Sequence, residues 1–330
     1  MRKSLRNLLA IDAGLARLIL LAGVIFGVMA VMVPDKFLRP YNLISITYIA
    51  PELGLLAIAM MVAMLTGGID LSVIGIANLG GILAGLFFHA VGGAHGPGLT
   101  GLGVGPVAAG IAIAIATGAI AGAINGVLIA RLRITPILAT LGSGQVFTGI
   151  ALVLTGGPAI VGFPDGWTMI GNGALGVFAV PLLILLAVAG AIAGLMSRTP
   201  FGLNLVLIGT NAKAARFAGL RTRRALLLTY VLTGVLASLA GIILSARTNA
   251  AKSDYGVSYL LQAVLIAVLG GTDPAGGRGS VAGVIAALLA LMLLASGMQL
   301  MRFSNFLVDA VWGAFLLASI ALNAWRARAR

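Results

Sequence analysis

Asp70 lies in a run almost free of charge, LTGGIDLSVIGIANLGG over residues 65–81, directly behind two glycines. A second such phrase, LGGTDPAGGRG at 269–279, sets Gly270-Gly271-Thr272-Asp273 against Gly67-Gly68-Ile69-Asp70 at a spacing of 203 residues. A carboxylate in this setting has two uses. It can cap a helix that restarts after a glycine break, or mark a broken helix beside a path through a membrane. Glu52, behind Pro51, poses the same question. If Pro51 opens a helix, Glu52 sits in the first turn, where the macrodipole favours it; deeper in a span it needs water or a partner. Asn78, Asn125 and Gln145 are polar residues within apolar runs, and with Glu52, Gly67, Gly68, Asp70 and Asp273 they are the candidates for lining a path.

Other chemistries find no support. His89 and His95 stand in a glycine-rich stretch without Cys, Asp or Glu beside them, a poor metal site. No Ser/His/Asp arrangement, GxxxxGK[ST] loop or pair of catalytic carboxylates occurs. The chain is therefore expected to be no enzyme, to bind no cofactor and to carry no ATP site. The absence of cysteine removes disulfides and thiolate metal ligands.

The elements that hold these residues are membrane helices. Of 330 residues 60% are hydrophobic and 9% charged, and the mean hydropathy is +1.13. A hydrocarbon core takes roughly 20 apolar residues per helix. Ten spans follow, at approximately 17–33, 46–66, 71–91, 105–130, 134–154, 176–196, 224–246, 257–270, 280–300 and 304–323. The eighth is too short to cross unaided and reads as a broken or partly re-entrant element. Leu18–Val33 reads as a first membrane helix, because no small-residue cleavage site follows it. The net charge of +13 is spread between spans and at the ends, which signals orientation rather than nucleic-acid binding. Sixteen of the 21 Lys and Arg residues fall on one side, which places both termini in the cytoplasm. Gly118, Gly122 and Gly126, four apart, allow close helix packing.

The segment SRTPFGLNLVLIGTNAKAARFAGLRTRR, residues 197–224, is the longest and most basic connection. Thr199-Pro200 marks a bend. Asn211 can cap a short helix over Ala212–Ala218, and Gly219 can end it one position past the cap. Two turns of alanine-rich helix are unstable alone and need a surface to lie on, either this chain's own helix ends or a soluble partner. Lys213 and Arg216 on so smooth a helix would suit a groove on such a partner, with Ala215 expected on the docking face. A solvated basic loop is the plainer alternative.

Four phrases, taken in order, resemble the ribose/xylose-type permeases of bacterial ATP-binding-cassette (ABC) importers over nearly the whole chain. They are LTGGIDLSVIGIANLGG, INGVLIARLRITPILATLG (124–142), TPFGLNLVLIGTNAKAARFAGL (199–220) and LGGTDPAGGRGSVAGV (269–284). Thr272-Asp273-Pro274 and FSNFLVDAVWGAFLL (303–317) look closer to the rhamnose and autoinducer-2 branches. The resemblance implies an all-α polytopic membrane protein of the type II importer fold, one permease domain over 1–330 with about ten transmembrane helices. It implies a second permease subunit (the same or a sibling chain), a partner ATPase that holds the ATP and Mg2+, a periplasmic sugar-binding protein, and a monosaccharide or small polyol as cargo at the inner membrane. Gly209, Asn211, Ala214, Ala215 and Gly219 look like the family's coupling-helix motif, and with Ala212, Lys213 and Arg216 they would dock on the ATPase. Gly67–Ser72 matches its GGIDLS signature. On the residues alone two other readings stay open: a gradient-driven transporter with Glu52, Asp70 or Asp273 as proton carrier, and a scaffold whose basic loop recruits a partner without transport.

Overall fold

The computed structural model describes residues 13–92 and 103–328; His95 lies outside them. Fourteen helices follow in order: α1 Ala13–Met32, α2 Pro34–Phe37, α3 Pro40–Leu65, α4 Val73–Gly92, α5 Val104–Ala130, α6 Pro136–Thr155, α7 Asp165–Asn172, α8 Val180–Arg198, α9 Pro200–Thr210, α10 Ala212–Phe217, α11 Thr222–Thr248, α12 Tyr259–Leu269, α13 Val281–Leu300 and α14 Asn305–Arg328. Among the described residues eight of them, α1, α3, α4, α5, α6, α8, α11 and α13, are long and apolar enough to cross a membrane. The eighth and tenth spans read from the sequence fall on α12 and α14. Proline opens α2, α3, α6 and α9 at the first or second position, where its missing N–H breaks no helical bond.

Helix α3 is the central pillar. Every residue from Ala50 to Leu65 is buried, as its apolar character on all sides requires. It begins at Pro40, so the reading in which Pro51 opens the helix is overturned: Pro51 lies mid-helix, and Glu52 is more than three turns in. Helices α5 and α11 pack with their backbones in close approach. A Cβ on Gly118 would strike the Ser238 hydroxyl and the Gly234 carbonyl, and one on Gly122 the Tyr230 carbonyl. The small-residue spacing is thus spent on a helix contact.

At the ends facing away from the basic loops, α7 forms a lid that the sequence reading passed over. Trp167 is fully buried, donates to Ser245 Oγ at 3.2 Å, and packs edge-on to Phe88 and stacked on Phe163. Beside it β1 (Ile160–Val161) pairs antiparallel with β4 (Ala250–Ala251), and β2 (Ala174–Leu175) with β3 (Phe178–Ala179). After β4 the chain turns inward. The Asn78 side-chain amide donates to the carbonyls of Ser253 and Tyr255 at 3.0 and 2.9 Å, holding this loop inside the protein. Helix α12 starts there; its 11 residues reach ~16 Å, about half the hydrocarbon thickness. It is a half-helix, in keeping with the broken element expected.

Candidate functional site

The residues singled out fall in three places. The first is a buried polar layer around Asp70. Helix α3 ends in a Schellman turn: Gly67 takes φ +77°, with Gly68 N–H bonding to Ala63 O and Gly67 N–H to Met64 O. The chain then crosses under Tyr230, whose ring hydroxyl leaves no room for a side chain on Gly68. Asp70, fully buried, accepts from the Ser72 amide (3.1 Å) and hydroxyl (2.6 Å) on Oδ1 and from the Thr233 hydroxyl (2.6 Å) on Oδ2. The Asn125 amide donates to Ser72 Oγ at 2.7 Å, and Ser143 Oγ donates to Asn125 Oδ1 at 2.5 Å. Thr140 Oγ1 bridges the Ile69 carbonyl and the Leu71 amide. The layer therefore ties the α3–α4 break to α5, α6 and α11. Asp70 braces the entry to α4 through the Ser72 amide, two residues on. Asn125 joins Asp70 here. Gln145, by contrast, points outward from α6.

The second place is a buried ion pair. Glu52 is 1% exposed and takes a two-pronged contact from Arg247, Nε to Oε2 at 3.1 Å and Nη2 to Oε1 at 2.8 Å. The Tyr259 hydroxyl donates to Oε1 at 2.7 Å. The carboxylate thus joins the middle of α3 to the end of α11 and the start of the half-helix α12. Both partners escaped the sequence reading; the only hint was a basic residue closing an apolar span.

The third place is a junction at the basic end. Asn211 Oδ1 accepts from Ala214 N at 2.9 Å and caps α10. Gly219, φ +81°, closes it with Gly219 N–H on Arg216 O and Leu220 N–H on Ala215 O. Ala215 is buried, which overturns its expected place on the outward face. Asn211, Ala212, Lys213, Ala214 and Arg216 are exposed, and Phe217, which the sequence reading passed over, is 94% exposed. Upstream, Gly209 lets α9 press its backbone onto Leu65 O and Gly277 N. Gly277 N–H donates to Leu65 O at 3.0 Å, and Gly276 lies so close to Gly209 and Gly67 that its Cβ would fall 2.8 Å from each backbone. The two Gly-Gly-x-Asp phrases and the end of α9 therefore meet at one point. Asp273 itself is exposed there, and its carboxylate accepts from Ala275 N at 2.9 Å. The spacing of 203 also needs correction. Helix α12 ends with Gly271 at φ +89° and Thr272 N–H on Ala267 O. The glycine with the role of Gly67 is thus Gly271, 204 residues on, and Asp273 occupies the place of Ile69.

Eight long apolar helices among the described residues, a half-helix held within them and a short capped helix beneath are the architecture of a polytopic membrane protein. The chain belongs to the family described as branched-chain amino acid transport system / permease component, which matches residues 42–320. It is 36% identical over 290 residues to the ribose import permease protein RbsC of Bacillus subtilis, covering 87% of this chain and 86% of that one. It is 34% identical over 271 residues to the autoinducer 2 import system permease protein LsrD of Yersinia enterocolitica, covering 80% and 78%. Another 34% match, over 274 residues, is LsrD of Photorhabdus luminescens (81% and 78%). No solved structure matches the chain. The resemblance drawn from the four phrases therefore holds, and the chain is a permease subunit of an ABC importer.

Proposed function

We propose that this permease moves a monosaccharide or related small polyol inward across the bacterial inner membrane, as one domain over residues 1–330 with both termini cytoplasmic. It works with a second permease subunit, an ATPase dimer that holds ATP and Mg2+, and a periplasmic sugar-binding protein. The observation that carries the reading is the junction: an exposed helix, α10, joined through Gly209 to both helix breaks. Docking on the ATPase uses Asn211, Ala212, Lys213, Ala214 and Arg216, with Phe217 as the apolar anchor and Gly219 fixing the exit. ATP-driven closure of the partner pushes α10, and α9 passes the displacement to the ends of α3 and α12, which re-angles the half-helix and changes access to the path.

A neutral cargo is supported by the charges. Arg247 is committed to Glu52, so among the described residues no buried cation stands free for a substrate carboxylate. A cleft of about 180 Å3 between α3, α12, α13 and α14 is lined by Asn42, Ser45, Gln262, Ser296 and Gln299 with Tyr259 and Trp312, none of them ionised at neutral pH. Gln145 lies on an outward stripe of α6 with Leu138, Gly142, Gly149 and Leu152. A polar residue at that depth needs protein or water against it, which supports the second permease, and the path between the two, on this face. Asp70, Asn125 and Gly68 brace the helices behind it, Asn78 holds the half-helix, and Gly67 and Asp273 shape the junction.

The test is co-purification with the ATPase in mild detergent, together with uptake of labelled sugars by the reconstituted system. Phe217→Ala is expected to lower ATPase retention and uptake by tenfold or more while the protein still inserts at wild-type levels. Uptake that persists without any ATPase and collapses with an uncoupler would overturn the reading in favour of a gradient-driven transporter.

A further inference from the structure

The basic end carries a second feature, which borders the junction at Gly219. A cleft of about 360 Å3 opens where α9 passes the start of α11, and Arg221, Arg224 and Asn204 line its polar side. Phe201, Leu220 and Leu228 form its apolar wall. Arg221 precedes the first residue of α11, and Arg224 is its third residue. The first turn of α11 contains no acidic residue, and among the described residues neither arginine forms an ion pair. Two like charges share one opening without a counter-charge. Beyond them the surface turns apolar, with Leu228 41%, Leu207 44% and Leu203 60% exposed.

By length and composition α11 is a membrane span that begins at Thr222, so the cleft lies at the end of a span, with its cationic rim at the start of that span and its apolar wall, Leu228, further along it. We infer that it binds one anionic phospholipid, the phosphate between Arg221 and Arg224 and an acyl chain along Leu228. Guanidinium groups match phosphate oxygens in two-pronged contacts, and basic pockets between helices on this side of a membrane suit such headgroups. An acidic protein surface would satisfy the charge but leave the wall of Phe201, Leu220 and Leu228 without a partner, so the lining favours a ligand that is anionic at one end and a hydrocarbon at the other. The lipid would seat the α9–α11 corner beside α10 and so hold the junction in register.

The experiment is native mass spectrometry of the full chain in mild detergent, titrated with phosphatidylglycerol, phosphatidylcholine and glycerol phosphate. One phosphatidylglycerol is expected to be retained in preference to phosphatidylcholine. Arg221→Gln with Arg224→Gln is expected to weaken its retention roughly thirtyfold, from about 1 kcal/mol per surface cation, while Arg131→Gln on another inner loop leaves it unchanged. If the double variant does not fold, Arg221→Lys with Arg224→Lys keeps the charges but not the forks and should weaken retention several-fold. Equal retention of the two lipids, or a double variant that binds as wild type, would overturn the inference. So would displacement of the lipid by equimolar glycerol phosphate, which would make this a free-phosphate site, or its expulsion when the ATPase binds, which would make it a protein contact. None of these outcomes bears on whether the chain transports sugar.

Discussion

Gly209→Ala is the sharpest probe of the junction, because local and tertiary effects point in opposite directions. Gly209 lies within α9, where alanine is favoured over glycine by about 1 kcal/mol. The new Cβ, however, would overlap the Leu65 carbonyl oxygen and the Gly277 amide, and come within 3.1 Å of the Gly276 carbonyl carbon. These are backbone atoms of two segments, the end of α3 and the turn at Gly276–Gly277, and cannot rotate away. Overpacking of this kind costs about 1–3 kcal/mol, and separating the segments breaks the Gly277-to-Leu65 hydrogen bond, about 1 kcal/mol more. The net expectation is a loss of about 1–3 kcal/mol, against a gain in helix preference alone. Gly190→Ala and Gly194→Ala on α8 are the controls, since neither added Cβ meets any atom within 4 Å. Thermal unfolding in detergent should place Gly209→Ala below wild type and both controls at or above it. ATP-dependent uptake should fall further than the stability loss explains, because the substitution separates α9 from the ends of α3 and α12. A Gly209→Ala protein as stable and active as the controls would refute the close contact and the coupling route built on it.

Three further outcomes follow from the buried polar groups. Arg247→Met should destabilise the protein by about 3 kcal/mol, the lower end for an orphaned buried charge because Arg247 is 24% exposed; adding Glu52→Gln should restore most of the loss, and an additive cycle in unfolding midpoints would refute the pairing. Asp70→Ala should cost about 2 kcal/mol by leaving the buried Ser72 amide and hydroxyl without their acceptor. Asp70→Asn should cost under about 1 kcal/mol, because Thr233 can turn its proton to the Tyr230 carbonyl at 3.0 Å and accept from the amide; loss of uptake in a stable Asp70→Asn protein would reinstate a proton role. The absence of cysteine makes Ser253→Cys a clean reporter: buried in the wild-type background, it should react with a membrane-impermeant maleimide only once Asn78→Leu releases the loop, and equal labelling in both backgrounds would refute that role for Asn78.

What the sequence disclosed, and what it withheld, divides along one physical line. Features set by nearest neighbours were legible. The apolar spans, the shortness of α12, the small-residue face of α5 and the Asn211 and Gly219 ends of α10 depend on residues within a few positions of one another. Features set by meetings across the fold were not. Glu52 gave no sign of Arg247, 195 positions away, nor of the Tyr259 hydroxyl that lies over the same oxygen. Ala215 was misplaced because a two-turn helix has no apolar stripe strong enough to declare its inner face, and that face is set by the elements it lies on. The paired glycines show the limit most clearly. In the first phrase the left-handed residue is the first glycine and in the second it is the second glycine, because α3 ends at Leu65 and is capped by Thr66 ahead of its glycine pair, while α12 runs one step closer to its pair, to Leu269, and takes Gly270 as the cap. Letters align at 203 and helix ends at 204. That single step moves the second aspartate from a buried position joining four segments to an exposed turn, so two phrases that read alike perform different tasks at opposite sides of the same contact.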